Sequence, residues 1–476
     1  MSRIISRLGF RDSWECGIFI AGLALRLSVF GLLVWGLGAS GLWNFNDSRE
    51  YLDLARGILG GRGFTQGLGE SPLPEVIRTP AYPLYLSAFL GLGLPLWSAA
   101  LIQLIAASFI PLITMRLAAR LGVSEAGGRA AGFFMAFEPL GVWASTVILT
   151  DAFAGLAFLS GAFFLVRFWQ ERRLRHVVFA AVSFGLMNYI RPTGIYFAFL
   201  IPLCFLAAAV AADRARWREL LRAGAVFAAL SLLILAPWVA RNHLHFGRFT
   251  FVTGLDRQLL DYAASGVLAA AEGISFDAAQ DRLQREIAPL LPRPPILKHP
   301  ANGPVIRGYA KDVIREHPRE FAKLYLLSLG TMFTAGDYHP LAADYGLIRW
   351  PEGGTSSFTL LLSRPDTGIA DVASALARSF REPYLAIALL GRLLWTALMI
   401  FALFGLVAMW RQKPGARFGV ILYLGFVLYL SLVAASLLVG VVPRHRLFLN
   451  PLTAIFAAAG ALAMREAATR LLGRRS

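Results

Sequence analysis

Charge and sulfur are both scarce in this chain of 476 residues, and each shortage closes off a class of protein. Asp, Glu, Lys and Arg make up only 16% of it while 57% is hydrophobic, against roughly a quarter charged in soluble domains, so a soluble globular fold is excluded. Its two cysteines, Cys16 and Cys204, lie far apart at or inside apolar helices. That argues against a disulfide framework or a thiolate metal site and leaves them as small packing residues. No His-Glu-x-x-His pair, Gly-x-Ser-x-Gly elbow or Cys-x-x-Cys occurs. Glycines crowd residues 57–69, yet no Gly-Lys-Ser/Thr ending follows and no strand leads into a helix there, which argues against a nucleotide-cradling loop. His317 and His339 lack partners at ligand spacing and support no metal assignment.

Long apolar runs fill the space left. A helix needs about 20 such residues to cross the hydrocarbon, and clear runs occupy residues 18–37, 97–117, 130–149, 152–168, 194–212, 223–239, 385–410, 418–442 and 447–464, with a shorter one at 177–189. The stretch 321–335 is apolar but short and reads as re-entrant or interfacial. The expected fold is an all-α polytopic membrane protein of about ten to twelve transmembrane helices. The run at 18–37 is too long for a signal-peptide core of about 7–15 residues and reads as a retained anchor.

A net charge of +17 would suit nucleic acid in a soluble protein, but here the arginines sit mostly in short loops between spans. No nucleic-acid partner is expected. Arg3, Arg7 and Arg11 precede the first run, and alternate loops carry Arg116/Arg120/Arg129, Arg167/Arg172/Arg173/Arg175, Arg214/Arg216/Arg218/Arg222 and Arg411/Lys413/Arg417. The positive-inside rule makes these cytoplasmic, with the amino terminus, and puts the loop around Asp47 outside. The chain reads as one integral-membrane domain over 1–476 with two larger outer segments, 38–80 and 241–384. In the first, Tyr51, Leu54, Ala55, Ile58 and Leu59 fall at helical spacing and Gly60-Gly61 ends the pattern, as in an amphipathic surface helix. In the second, the weakly periodic run 340–383 reads as the most mobile part.

Candidate chemistry gathers at the outer ends of the spans. Asp47, followed by Glu50, reads either as a helix N-cap with a reciprocal capping partner or as a general base, and the two roles are compatible. Asp151, between two apolar runs, is an ionisable group where one is costly, a functional hypothesis by default; it or Thr150 could equally be a cap. Glu138, inside the run 130–149, is a secondary candidate. Arg78, Arg191, Arg241, Arg444 and Arg446 break the topology rule by lying outside. They either snorkel to headgroups or bind phosphate oxygens in bidentate fashion. Tyr82 stands with Trp43, Trp238 and Tyr338 where interfacial aromatics are ordinary.

In this order, Asp47-Ser48-Arg49-Glu50-Tyr51, Gly61-Arg62-Gly63-Phe64, Arg78-Thr79-Pro80-Ala81-Tyr82-Pro83, Asp151, Arg191-Pro192-Thr193, Pro237-Trp238 to Arg241-Asn242, and Arg444-His445-Arg446 through Pro451 resemble the polyprenyl-phosphate-dependent glycosyltransferases of the GT-C fold. The nearest likeness is to bacterial relatives of protein O-mannosyltransferases and lipid A aminoarabinose transferases. One departure is Asp47-Ser48, where protein O-mannosyltransferases typically have Asp-Glu. The resemblance implies a GT-C-like bundle with a long first outer loop, in an inner membrane, with its site on the periplasmic side. It implies a polyprenyl-phosphate-sugar donor and a hydroxyl acceptor on a glycolipid, glycan or protein. Asp47 and Asp151 would be catalytic, and Arg78, Arg191, Arg241, Arg444 and Arg446 would hold the donor phosphate. Glu50, Tyr51, Tyr82, Asn242 and His445 would contact substrate. No cofactor is implied with certainty; a divalent cation, Mg or Mn, stays open. A ligase or polymerase of lipid-linked glycans is a rival reading, as is a lipid transporter. A transporter would favour two related halves or paired broken helices, and neither is visible.

Overall fold

The computed structural model describes residues 9–43, 45–66, 73–293, 299–338 and 383–472, with isolated positions between the last two segments. Nearly all of the run 340–383 lies outside them. The chain is an all-α polytopic membrane protein. Its one β pairing among the described residues is a two-residue antiparallel ladder, Thr65 opposite Pro74 and Gln66 opposite Leu73. Among the described residues seven helical segments are long and apolar enough to cross a bilayer, and Leu174–Ile190 and Phe197–Ala211 are shorter apolar helices.

The chain divides into two compact units. The first comprises Met1–Pro237, Ala397–Phe426 and Leu447–Ser476; the second comprises Trp238–Thr396 and Val427–Arg446. In the first unit the helices are α1 (Ser13–Leu37), α2 (Asn46–Leu59), α3 (Ala81–Gly91), α4 (Leu96–Ala107), α5 (Phe109–Arg120), α6 (Glu125–Phe137), α7 (Pro139–Thr146), α8 (Asp151–Glu171), α9 (Leu174–Ile190) and α10 (Phe197–Ala211). The long α11 (Trp217–Phe246) runs on into the second unit.

The run 130–149, expected as one span, is broken. Helix α6 stops at Phe137, and Glu138, in extended backbone, caps α7 by accepting from the Leu140 and Gly141 amides, with Pro139 in the first turn. Proline cannot continue the i to i−4 ladder of a preceding helix, so the break falls where the sequence puts it. The orphaned carbonyls at the end of α6 find their donor in α1. The buried Arg26 guanidinium donates to the carbonyls of Ala136 (2.9 Å), Gly22 (3.1 Å) and Met135 (3.5 Å). A cation at a helix C-terminus and a carboxylate at the next N-terminus both oppose the local backbone dipole, so the break is held by charge. Glu138, a secondary candidate in the sequence, is occupied in that cap.

Phe158 of α8 anchors an aromatic core, with its ring 4.7 Å from Phe426, 5.1 Å from Phe448 and 5.8 Å from Phe184. The carboxy-terminal helix Asn450–Leu472 crosses residues 397–410 at glycine: a Cβ on Gly405 would run into the Phe456 carbonyl, and one on Gly460 into that of Phe401. Small residues at such crossings let backbones approach where lipid supplies no hydrophobic drive.

The second unit carries amphipathic helices. Following Gly254–Gln258, one π turn over Leu259–Ala264 and then Ser265–Glu272, α14 (Phe276–Ile287) and α15 (Gly303–Glu316) close a core of Leu260, Leu268, Leu283, Ile287, Ile306 and Ala310. Arg307 clamps Asp256 through Nε (2.7 Å) and Nη2 (3.0 Å). The stretch 321–335 falls almost wholly within the helix α16 (Pro318–Thr334). The Gly460 crossing is testable: Gly460→Val is expected to cost about 1–3 kcal/mol by overpacking, seen as a lowered unfolding midpoint of the detergent-purified protein, while the same change at the open Gly31 should leave the midpoint unmoved.

Candidate active site

Helix α2 opens the first outer segment, and its start differs from the capping-box expectation. Phe45 occupies the N-cap without a side-chain cap bond, and Asp47 lies inside the first turn. Both acids turn instead to one guanidinium. Arg78 Nη2 donates to Asp47 Oδ1 and Arg78 Nε to Glu50 Oε2, each at 2.7 Å, and Nη1 reaches Tyr51 Oη at 3.4 Å. The guanidinium also lies over the Tyr51 ring, 5.1 Å from its centroid. The reason is helical spacing: residues 47, 50 and 51 share one face, and a planar fork serves two carboxylates where an ammonium could not. Burial works against the Arg78 charge, but Tyr51, Asp47 and Glu50 outweigh it and raise its pKa above the ordinary arginine value.

Arg78 is aimed by its own loop. The carboxylate of Glu75, 1% exposed, accepts from the amides of Val76, Ile77 and Arg78 and so forms the turn that delivers the side chain. Sequence reasoning missed Glu75. Its position three residues ahead of Arg78, just before a Pro-Ala-Tyr helix start, was the available signal. The start of α2 is fixed from the other side: Ser48 Oγ donates to the Ile148 carbonyl (2.7 Å), and the Ile148 amide donates to the Leu42 carbonyl (2.8 Å). The strand-like lead-in to Asp151 is thereby tied to the helix that carries Asp47.

Asp151 is the first residue of α8, buried, with Oδ1 accepting from Arg191 Nη1 at 3.0 Å. A carboxylate in a first helical turn also faces the positive end of the dipole. Arg191 reaches it from the extended residue that ends α9. Aromatic rings join the two acid–arginine pairs. Tyr82 packs edge-on to Tyr51 at 5.1 Å and to Phe153 at 6.5 Å, and its hydroxyl donates to Gln103 Oε1. Gln103 Nε2 in turn donates to the carbonyl of Val147 at 2.8 Å. The first unit therefore brings together Asp47, Glu50, Tyr51, Arg78, Tyr82, Asp151 and Arg191. Of the two aspartates Asp47 is the accessible one, its side chain 31% exposed against 3% for Asp151, and its neighbour Glu50 is 43% exposed.

The remaining candidates belong to the second unit. Arg241 lies over Trp238, 4.7 Å from the ring centroid, and donates to Asn242 Oδ1, while the fully buried Asn242 amide donates to the carbonyls of Thr250 and Phe251. Arg444 and His445 are half-buried on the turn Pro443–Leu449, and His445 Nδ1 lies 3.0 Å from the Val442 carbonyl and 3.1 Å from its amide. Arg446 is fully buried. It donates to the carbonyls of Met332 and Ala335 and stacks 3.7 Å from the Trp395 centroid. Among the described residues no group of three or more His, Cys, Asp or Glu lies together as metal ligands would. The donor set in hand does not fit a resident cation, because Asp47 and Glu50 face Arg78 and Asp151 faces Arg191.

Together these features define a membrane protein with a water-reachable acid, a second buried acid and arginines bound to both. The comparisons with known proteins give that class a family likeness. A family described as dolichyl-phosphate-mannose-protein mannosyltransferase matches residues 77–240, about a third of the chain, taking in Arg78, Tyr82, Asp151 and Arg191. The resemblance drawn from the motifs therefore stands. Asp47-Ser48, the point of departure, precedes the matched stretch. Among curated proteins no significant match is found. Among solved structures, the chain is similar to the oligosaccharyltransferase of Archaeoglobus fulgidus in its apo form, with a TM-score of 0.49, 14% identity, and coverage of 98% of this chain and 52% of that one. It is also similar to the archaeal oligosaccharyltransferase AglB from the same organism in complex with an inhibitory peptide and a dolichol-phosphate, with a TM-score of 0.48, 12% identity, and coverage of 97% and 52%. This chain thus spans about half the length of those structures.

Glu75 supplies the test of this geometry. Glu75→Ala leaves three backbone amides without their acceptor and should cost at least about 2 kcal/mol, measured as a drop in the unfolding midpoint, whereas Glu75→Gln keeps an acceptor oxygen and should lose less than half as much.

Proposed function

We propose that this protein is a glycosyltransferase that moves a sugar from a polyprenyl-phosphate donor to a hydroxyl acceptor on a glycolipid, envelope glycan or protein. The transfer takes place on the periplasmic face of the inner membrane. The observation that carries the reading is the Asp47–Arg78–Glu50 clamp, directly after the first span. The Asp47 carboxylate that Arg78 binds is also partly exposed, which leaves it open to an acceptor.

The chemistry needs little more. The leaving phosphate is already a stable anion, so no general acid is required. The acceptor oxygen attacks the anomeric carbon as its proton passes to an Asp47 carboxylate oxygen, and the bond from that carbon to the phosphate oxygen breaks with its electron pair on phosphate. Single displacement inverts the anomeric centre. Arg78 and Arg191 are the proposed phosphate-binding groups of the first unit, and Arg241 and Arg444 carry the same proposed chemistry in the second, where the buried Arg446 is committed to the Met332 and Ala335 carbonyls instead. Glu50, Tyr51, Tyr82, Asn242 and His445 are proposed substrate contacts. Asp151, held by Arg191, is proposed to orient the acceptor.

Asp47→Asn tests the assignment, because the amide keeps the shape and a hydrogen bond to Arg78 but cannot take the proton. Transfer should fall by about 100-fold or more, with unchanged membrane insertion and elution. The measurement is mass spectrometry of envelope glycolipids and glycoproteins from cells lacking the chain, complemented with either form. A modified product that persists at wild-type level with the Asn form removes Asp47 as the base.

A further inference from the structure

Two basic clusters of the first unit stand at the span ends that the charge bias makes cytoplasmic, and they are satisfied differently. Around the start of α1 the cations meet acids: Arg116 binds Glu15 at 2.9 Å, and Arg129 binds Glu125 at 3.1 Å and Asp12 at 3.4 Å. The second cluster is built on Trp169, near the end of α8. The Arg216 guanidinium donates from Nη1 to the Trp169 carbonyl at 2.9 Å and lies 4.5 Å from the ring centroid, while Phe418 stacks on the same ring at 4.6 Å. One residue thereby gathers three turns: residues 172–175 just after α8, Arg214–Arg216 before α11, and residues 411–417 leading to Phe418. In the third turn a Cβ on Gly415 would lie 3.6 Å from the indole of Trp169.

Few acids accompany these turns, and all are taken. Glu171 lies 2.8 Å from both Arg167 Nε and His176 Nε2, Glu219 accepts from Arg216 at 2.7 Å, and Asp213 accepts from the Ala215 amide. Among the described residues the other cations have no carboxylate at ion-pair distance. These are Arg172, Arg173 and Arg175 after α8, Arg214, Arg218 and Arg222 around the second turn, and Arg411 and Lys413 in the third, all of them exposed. Topology asks only that positive charge lie on this side of the bilayer. It does not ask that three basic turns be drawn onto one tryptophan against their mutual repulsion, and such an arrangement without acids is complementary to an anion.

We propose that the turns around Trp169 bind an anionic phospholipid, its phosphate set among the exposed guanidinium groups and its acyl chains along the adjoining helices. The apolar surface beside the cations selects a lipid over a free phosphate. On α9 the exposed Phe179, Val182 and Leu186 run from the first turn, and on α10 the exposed Leu203, Leu206 and Val210 run towards the second. Spacings of three and four residues put each set on one helix face. Trp217 and Trp410, both exposed, stand at helix ends beside the turns, where indoles mark the headgroup level. The site is distinct from the proposed chemistry: α8 carries Asp151 at its first residue and Trp169 near its last, roughly 27 Å apart along the helix axis.

The experiment titrates the full-length protein in neutral detergent with a tail-labelled fluorescent cardiolipin, using unlabelled cardiolipin, phosphatidylglycerol, phosphatidylcholine and inorganic phosphate as competitors. The two anionic lipids should displace the probe, and phosphatidylcholine should need a concentration at least about 10-fold higher. Arg172→Gln/Arg218→Gln removes two exposed cations that hold no acid, so it should raise Kd at least about 10-fold and leave the unfolding midpoint in lipid-free detergent unmoved. If that pair does not fold, Arg175→Gln/Arg222→Gln carries the same test. The charge-matched control is Arg465→Gln/Arg470→Gln on the carboxy-terminal helix, which packs through Leu462 against Gly127 of α6; it should change Kd by less than about 2-fold. Equal losses from the hub and control pairs reduce the effect to net charge and overturn the proposal. So does displacement by phosphatidylcholine or by inorganic phosphate as effective as that by phosphatidylglycerol. No sugar moves in this assay, so its failure is separate from failure of the Asp47 transfer test.

Discussion

The Arg78 guanidinium sets the terms for the first unit. Two carboxylates one helical turn apart repel each other, and a protein built mostly of apolar side chains has little polar surface with which to dilute that repulsion. One planar cation bridging Asp47 and Glu50 solves the problem at a stroke, and everything nearby serves its placement. Glu75 forms the turn that presents it, Tyr51 lies beneath it, and the Ser48 to Ile148 bond fixes the helix start to which it is joined.

The same rule, that a charge in apolar surroundings must be partnered, recurs through the molecule with different outcomes. Arg26 and Glu138 spend their charges on the broken backbone between α6 and α7 and so are committed to the fold. Asp151 and Arg191 satisfy each other at the head of α8, beside the aromatic wall of Tyr82 and Phe153. Asp47 and Glu50, both bound to Arg78, keep part of their surface exposed. Committed charges build structure. A charge left with an option is where chemistry or regulation has room to act.

Much of the architecture was legible in the chain because hydropathy and helical period are local quantities. The run 18–37, the Tyr51–Leu54–Ala55 face, its end at Gly60, and the helices over 152–168 and 385–410 all correspond to helices of the structure. Where the reading slipped, a single local residue governed. Pro139 divided a run whose mean hydropathy looks continuous, and residues 435–442, expected as part of a span, leave the helix Pro414–Ala434 in short turns. The candidate residues could be named from their chemistry at the ends of spans, but their partners could not. Asp47 looked like a cap because Glu50 follows it at the right spacing; only Arg78, distant in sequence and close in space, shows that both acids face elsewhere.

The amino-acid sequence alone determined that this is a helical membrane protein, which way its basic loops bias it, and which ionisable residues stand apart from topology. Those follow from transfer free energies and periodicity, which each segment carries by itself. Which charge meets which was decided by tertiary structure: the fork of Arg78 on two acids, Arg26 on the carbonyls that end α6, Arg446 on Trp395 and the loop before Asp337. A pairing energy depends on distance and on the dielectric between partners, and neither exists until the helices have packed.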